Sequence, residues 1–432
     1  MSNEVICGRY VRYPLSDEDK EGGTRLQSGL KSKDSKQPLI TYITVVYNRI
    51  ETLQACMESV WNQTYSNIEY IVVDGASTDG TLELIESNAD KIDYYISQPD
   101  KGIYNAMNKG ISLAHGDLIC FMNSDDACTP NAAEDIAKKY IETQADIICG
   151  TRNFYEGGIQ KDEITYPRYC IKNCVFRYIQ MYHQATYASP KVFNRIGGFD
   201  EQYKLLADWI WESKAIDYKF DIVFMDTILT DFNYDGASAK GIHIKDDDWI
   251  RWILNKFPML DVYDAETLLF GFDRERHPFC ELKVLRKMIK KYQDDQLEKA
   301  IYDTVLLATL EGVVEALELE KRVELTLYKY LKKYDIVNLA GTESLSDLQN
   351  LLQNEIEASC QTEYIPNLDW ERLQQIHDFI ICILYHYKIN RIVNESFQMF
   401  WKMGYCVKGR LYGKTVRGIH NFYPELRKRW NK

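Results

Sequence analysis

The amino-acid sequence predicts an α/β protein with a doubly wound, mostly parallel sheet, followed by a C-terminal α-helical region. Between residues 38 and 150, short apolar and β-branched runs alternate with segments of helical periodicity. Such runs are typical of strands buried on both faces, and their alternation with helices is typical of a parallel sheet. From about residue 266 onward, apolar residues recur only at the helical period.

Five strands are predicted in the first half of the chain, each as an apolar run bounded by polar residues. They lie in LITYITVVY, IEYIVVDG, IDYYISQ, DLICFMNSDD and ADIICG. Gly116 ends one intervening helix, and Pro130 lies near the first turn of another. After residue 150 the pattern is more mixed, with a helix starting near Asp208 and one or two strands in FDIVFMDTILTDFNY.

These patterns divide the chain into four predicted parts. We expect a flexible N-terminal arm over residues 1–37, the sheet domain over 38–265, a helical domain over 266–400 and a basic, aromatic tail over 401–432.

Composition excludes several classes of protein. The net charge of −12 argues against general nucleic-acid binding. Eleven dispersed cysteines indicate reduced thiols in a cytoplasmic protein. No signal-peptide core is present at the N-terminus, and no apolar run approaches the roughly 18 residues that span a bilayer. We therefore expect a soluble or peripheral protein.

The tail reverses the overall charge, because its only acid is Glu425 while basic and aromatic residues interleave along it. This pattern favours contact with an anionic membrane surface at the inner face of the membrane. A solvated tail, or a tail docked on an acidic partner, is an equal alternative.

Polar residues follow four of the predicted strands, at the edge where ligands bind in parallel α/β sheets. They are Asn48, Asp74, Asp100 and the adjacent pair Asp125–Asp126. Two adjacent carboxylates can hold a divalent cation that also binds phosphate oxygens. For the pair taken alone, a solvated turn that caps the next helix is the favoured interpretation.

Asp74 and Lys101, also at this edge, could each have a functional or a purely structural role. Asp74 closes a strand beside a Gly-rich turn, where an acid can accept a hydrogen bond from a ribose hydroxyl or a base. Lys101 precedes a helix N-terminus, and the two together suit a diphosphate. In isolation, Asp74 is equally well explained as a turn residue, and Lys101 is better explained as a solvated loop lysine.

Three segments in order, TVVYNRIETLQACMESVWNQTYSNIEYIVVDGASTDGT, SQPDKGIYNAMNKGISLAHGDLICFMNSDD and GGFDEQYKLLADWIWE, closely resemble family 2 glycosyltransferases of the bacterial surface-polysaccharide type. The resemblance covers about residues 38–240. It implies the GT-A fold and a hexosyltransferase that uses a nucleotide-sugar donor, with a UDP-sugar favoured. The acceptor would be a hydroxyl of a glycan or of a lipid-linked sugar.

The resemblance also implies roles for individual residues. Asp208 in LLADW matches the position of the general base, and Asp126 in the DxD-like element matches a ligand of Mg²⁺ or Mn²⁺. His183 and His243 would lie on the acceptor or diphosphate side, with residues 234–243 as a lid or a plain surface loop. Residues that would bind the nucleotide sugar are Val46, Tyr47, Asn48, Asp74, Asp100, Lys101, Asn105 and Asp125.

One position departs from the family pattern. Many members carry a second acid where this chain has Gly75, and that acid can contact the base. Here the contact is expected from Asp74 or from the backbone.

The implied reaction is an inverting transfer in which Asp208 takes the proton of the acceptor hydroxyl. Two alternatives belong to other classes. A non-catalytic nucleotide-sugar-binding scaffold is opposed by the presence of both Asp126 and Asp208. A sugar nucleotidyltransferase would need a Gly-rich, basic phosphate loop after the first strand, and VYNRIETL has none.

Overall fold

The computed structural model describes residues 5–34, 36–161, 176, 181–234, 242–271, 282–323, 344–361, 368–378, 380 and 384. The chain divides into two compact units, residues 1–377 and residues 378–432. All of the elements below belong to the first unit.

The described strands form one sheet in the order β1-β4-β3-β2-β5-β9-β7-β10-β6, with β8 paired to β7. Their bounds are β1 Lys20–Gly22, β2 Ile40–Val46, β3 Ile68–Asp74, β4 Tyr94–Ser97, β5 Leu118–Asn123, β6 Ala127–Cys128, β7 Ile147–Glu156, β8 Ile159–Lys161, β9 Thr186–Ala188 and β10 Ile222–Asn233.

The sheet is mixed. Strands β4, β3, β2 and β5 are parallel neighbours, and β7 is parallel to β10. Strand β9 runs antiparallel to both β5 and β7, while β1, β6 and β8 also pair antiparallel. The strand order reverses at β2, with β3 on one side and β5 on the other, which is where such sheets bind ligands.

Seven helices are described in the sheet half of the chain. They are α1 Arg25–Ser28, α2 Ile50–Trp61, α3 Thr81–Ser87, α4 Ile103–Leu113, α5 Ala132–Thr143, α6 Pro190–Ile196 and α7 Ala207–Asp217. Those that follow are α8 Ile242–Lys256, α9 Val262–Gly271, α10 Leu282–Tyr292, α11 Asp295–Val323 and α12 Leu345–Gln361. The prediction of an α/β sheet followed by a helical region is confirmed.

Helices α2 and α4 lie on opposite faces of the central strands. Met57 of α2 packs into the same core cluster as Tyr42 of β2. The next residue of that strand, Ile43, points to the other face, where a Cβ on Gly110 of α4 would overlap it. Side chains that alternate along β2 therefore serve two cores, as the doubly wound prediction requires.

The segment before residue 38 differs from the predicted flexible arm at residues 20–28. Strand β1 pairs with the edge strand β4, and α1 follows it. Arg25 is buried, with its guanidinium 2.7 Å from Glu69 Oε1 and 3.0 Å from the carbonyl of Leu113. A buried charge needs such partners, so this ion pair fixes the segment against the sheet.

None of the helices within the described ranges combines the length and apolar character needed to cross a membrane.

Candidate active site

The end of β2 and the turn that follows it carry three of the residues predicted to hold the base. Val46 is buried, and its carbonyl accepts a hydrogen bond from the Gly75 amide at 2.9 Å. Tyr47 has 61% of its surface exposed. Asn48 adopts a left-handed φ of 50°, and its Oδ1 accepts a hydrogen bond from the Thr78 amide at 2.8 Å. The turn thus exposes the Tyr47 ring and ties Asn48 to the turn after β3.

Asp74 is an anchor of that second turn. It has no exposed surface, and its Oδ2 accepts hydrogen bonds from the Ser77 amide at 3.0 Å and the Ser97 hydroxyl at 2.6 Å. Its Oδ1 accepts from the Ser77 hydroxyl. The sequence suggests an acid open to ribose or base, but burial and these bonds commit the Asp74 carboxylate to the protein.

The loop between β4 and α4 presents charged groups at the same edge. Asp100 is partly exposed, and its Oδ1 accepts a hydrogen bond from the Gly102 amide at 2.8 Å. Lys101 is exposed, and its amide donates to Asn105 Oδ1 at 3.3 Å. Asn105 in turn donates to Glu201 Oε2 at 3.0 Å. Because α4 starts here, its first amides and Lys101 together offer positive potential to an anion.

The two acids after β5 have different environments. Asp125 is partly exposed, whereas Asp126 is only 3% exposed. Asp126 Oδ1 accepts from the Asn233 amide at 2.9 Å, and its Oδ2 accepts from Gln184 Nε2 at 3.0 Å and Asn123 Nδ2 at 3.2 Å. Burial, reinforced by the nearby charge of Asp125, raises the pKa of Asp126 to about 7. Asp125 is therefore the better placed of the two to meet an external cation.

The oxygen donors at this strand end fit a hard divalent cation. Asn123 Oδ1 is buried and has no hydrogen-bond partner within the described part of the chain. Amide and carboxylate oxygens are ligands of Mg²⁺ and Mn²⁺, which take few protein ligands when phosphate oxygens complete the shell. No cluster of three or more His, Cys, Asp or Glu side chains is placed to hold a metal among the described residues. Any ion here would thus depend on donor oxygens from a ligand.

Asp208 lies in the first turn of α7 and is 9% exposed. His183 Nδ1 is 2.8 Å from its Oδ2, and the Tyr104 hydroxyl donates to its Oδ1 at 2.9 Å. Burial acts to raise the pKa of Asp208, whereas the hydrogen bond and attraction from His183, helped by Tyr104, act to lower it. The net shift is downward, so the carboxylate is ionised at neutral pH.

A continuous chain of polar contacts joins Asp208 to Asp126. His183 Nε2 lies 3.1 Å from Asn123 Nδ2, and the same amide nitrogen reaches Asp126. Nδ1 of His183 thus faces the Asp208 carboxylate, while Nε2 of the same ring faces the side-chain amide of Asn123. The candidate base and the end of β5 are thereby held in one fixed arrangement.

The loop that leads into α7 is fixed by a buried acid from α8. Asp248 Oδ2 accepts hydrogen bonds from the amides of Lys204 and Leu205, each at 2.7 Å. This bond pair sets the start of α7 and with it the position of Asp208. It also accounts for one of the three acids at residues 246–248 without a second metal site.

The structure brings most of the predicted site residues to one edge of the sheet. His243 lies in α8, but its side chain is not among those that the structure describes. Residues 235–241 of the predicted lid and the tail at 401–432 also lie outside the described residues. Residues that the sequence analysis missed are Ser77, Ser97, Tyr104, Asn123, Gln184 and Asn233. Gln184, next to His183 in YHQAT, is the one whose place in the sequence could have suggested a role.

The sequence of this chain is similar to those of several known glycosyltransferases. Residues 41–199 match the family described as Glycosyl transferase family 2. The PGL/p-HBAD biosynthesis glycosyltransferase of Mycobacterium bovis (strain BCG / Pasteur 1173P2) is 26% identical over 234 residues, which is 51% of this chain and 85% of that protein. Glycosyltransferase GlyA of Streptococcus pneumoniae serotype 4 is 39% identical over 118 residues, 27% of this chain and 17% of that protein.

Two solved structures are similar at lower identity. S. aureus TarS 1-349 in complex with UDP-GlcNAc has a TM-score of 0.42 and 16% identity, covering 74% of this chain and 92% of that chain. The mannosyltransferase PcManGT from Pyrobaculum calidifontis, in complex with GDP-Man and Mn²⁺, has a TM-score of 0.42 and 14% identity, covering 76% and 89%.

Proposed function

We propose that this chain transfers a sugar from a nucleotide-sugar donor to a hydroxyl of a glycan or lipid-linked acceptor, because residues 41–199 match the family 2 glycosyltransferases. A UDP-sugar is the favoured donor, and surface-polysaccharide synthesis is the favoured role. The observation that carries the proposal is the polar chain from Asp208 through His183 to the end of β5, at the switch point of the sheet.

The donor would lie across the turns after β2, β3 and β4. Tyr47 offers a flat exposed ring to the base, while Asn48 and Asp74 hold the two turns in position. Lys101 and the first amides of α4 suit the negative diphosphate. Asn105 links this loop to Glu201 and so keeps Lys101 near the carboxyl edge of the sheet.

Mg²⁺ or Mn²⁺ is the proposed cofactor, held by Asp125 with the Asn123 carbonyl oxygen beside it. The sequence alone favours Asp126, but that carboxylate already accepts three hydrogen bonds from the protein. When bound, such an ion offsets the charge of a departing diphosphate. Asp126 then serves to hold Asn123 and the end of β10 around the cation.

Asp208 is the proposed general base. In the displacement, the acceptor hydroxyl gives its proton to the Asp208 carboxylate as the acceptor oxygen bonds to the anomeric carbon. The bond from that carbon to the diphosphate oxygen breaks at the same time, and the nucleoside diphosphate leaves with the electron pair. Attack opposite the leaving group inverts the anomeric centre. His183 and Tyr104 orient the carboxylate and keep it ionised at neutral pH.

A donor screen tests the proposal directly. UDP-, GDP- and dTDP-sugars are incubated with the full chain, with Mn²⁺ or with EDTA, and release of the nucleoside diphosphate is measured. We expect cation-dependent release from UDP-sugars, and NMR of the transferred or hydrolysed sugar is expected to find the inverted anomer. Absence of release from every donor, with no donor bound in calorimetry, would remove the proposed activity. A retained anomer would remove Asp208 as a single-displacement base.

Contact of the basic tail at 401–432 with the inner face of the membrane is a separate proposal. It rests on sequence alone, because these residues lie outside the description. Sedimentation with vesicles containing phosphatidylglycerol, compared with pure phosphatidylcholine vesicles, tests it. Equal recovery of the chain in both pellets would contradict an electrostatic contact.

A further inference from the structure

The space where residue 75 would carry a side chain is taken by Asp100. A Cβ placed on Gly75 would lie 2.6 Å from Asp100 Oδ2 and 3.3 Å from Cδ2 of Tyr47. The first distance is shorter than contacts that real Cβ atoms make. An acid at position 75 would therefore displace the Asp100 carboxylate from its present position, in which it lies beside the exposed Tyr47 ring.

The Asp100 carboxylate is held with one oxygen available. Its Oδ1 accepts the hydrogen bond from the Gly102 amide at 2.8 Å, which fixes the side chain over Gly75. Within the described residues, no hydrogen bond reaches Oδ2 and no basic side chain forms a salt bridge with Asp100. Because Asp100 is partly exposed, its second carboxylate oxygen is available to accept a hydrogen bond from a ligand.

Asp74, the other acid at this position of the sheet, is committed elsewhere. It is fully buried, and both of its oxygens accept hydrogen bonds from Ser77 or Ser97. Of the two acids at the ends of β3 and β4, only Asp100 thus presents an oxygen beside Tyr47.

We propose that Asp100 Oδ2 reads the edge of the nucleobase that lies on Tyr47, and selects a base with a ring N–H at that point. This inference rests on the proposed function, because it assumes that the site binds a nucleotide. Uracil and thymine present an N3–H donor there, whereas N3 of cytosine is an acceptor and would face the carboxylate without a proton. A single available oxygen suits a single ring N–H, which favours UDP over CDP.

The closing experiment measures binding of UDP and CDP by calorimetry, with MgCl₂ present, to the full chain and to Asp100→Asn. The isosteric amide keeps an oxygen for the Gly102 amide but turns a donor toward the base. We expect UDP affinity to fall by about 10- to 100-fold, as for a lost bond to a charged group, while CDP affinity changes little.

A second variant transfers the carboxylate from position 100 to position 75. In Gly75→Asp/Asp100→Ser, the serine hydroxyl can still accept from Gly102, and the new acid occupies the vacated space. Gly75 has no left-handed φ, so an aspartate is tolerated there. We expect the double variant to prefer UDP over CDP again, and Gly75→Asp alone to bind both poorly because two carboxylates meet.

Each result decides between the two proposals. A UDP-to-CDP preference within about twofold of wild type in Asp100→Asn, with UDP still bound, would overturn base reading and leave the donor site intact. An equal fall for both nucleotides would also overturn it, since it would mark Asp100 as only a loop anchor. If the unaltered chain binds neither nucleotide, the proposed function fails, and the inference falls with it.

Discussion

The ends of β3 and β5 use acids in the same two ways but are built differently. At each end one acid is buried and holds the protein together, Asp74 after β3 and Asp126 after β5. Beside each lies a partly exposed acid, Asp100 and Asp125 respectively. In each pair, the buried acid is an anchor that binds other parts of the protein, and the partly exposed acid is able to contact a ligand.

The anchors differ in where their donors come from. Asp74 is bonded by Ser77, three residues later, and by Ser97 on the neighbouring strand. Asp126 is bonded by Gln184 and Asn233, which lie 58 and 107 residues away in the chain. The proposed base side of the site is therefore held by residues close in the chain, while the proposed diphosphate side requires the second half of the sheet to be in place.

The largest expected effect concerns Asp208, which is held through His183 at the end of β5. Asp208→Asn removes the proposed proton acceptor but keeps the shape of the side chain. We expect kcat to fall by about 10³-fold while the Kd for UDP stays within about twofold. Steady-state kinetics and calorimetry measure the two quantities. Asp90→Asn is the matched control, because Asp90 is exposed and precedes β4 at the opposite edge of the sheet. Unchanged kcat in Asp208→Asn would exclude it as the base.

Asp74→Asn tests the local anchor. The new amide would turn a donor toward the Ser77 and Ser97 donors inside a buried site. We expect the free energy of unfolding to fall by about 3 kcal/mol in urea denaturation. Ser97→Ala, which removes one donor and leaves the carboxylate, should cost only about 1 kcal/mol. Equal stability of Asp74→Asn and wild type would show that the second turn does not depend on this charge.

Asp126 is expected to make the stability of the protein depend on pH. Its pKa in the folded protein is raised to about 7, so its contribution to stability is present at low pH and is lost as the pH rises through that value. Asp126→Asn has no such charge to bury. Between about pH 5 and pH 7.5 in EDTA, we expect wild type to lose about 2 kcal/mol of unfolding free energy relative to Asp126→Asn. Parallel stability profiles would contradict the buried, proton-binding state of Asp126.

Asp125→Asn gives the smallest expected effect and tests whether Asp125, rather than Asp126, binds the cation. We expect UDP to bind about 10-fold more weakly with Mn²⁺ present and equally well in EDTA, with an unchanged melting temperature. If instead Asp126→Asn loses the cation-dependent part of binding and Asp125→Asn does not, the assignment of the two acids is reversed.

Sequence reasoning succeeded where the relevant contacts are local. The apolar run of β2 and the turn signals of DGASTDG placed Asn48, Asp74 and Asp100 at one edge of the sheet, because strand ends and turns depend on neighbouring residues. It could not tell which acid of Asp125 and Asp126 is buried, since Gln184 and Asn233 decide that from distant strands. Equally, the contact between His183 and Asp208 joins two candidates that were predicted from the sequence to have separate roles.

The pairing of β1 with β4 has a practical consequence for making fragments of this protein. Similarity to the family begins at residue 41, so a fragment cut there would lack both β1 and Arg25. The edge of β4 would then be open to pairing with other molecules, and Glu69 would be a buried charge without its counter-ion. Losing one member of a buried pair costs about 3–5 kcal/mol. Such a fragment should aggregate on expression, and the useful cloning boundary lies before residue 20.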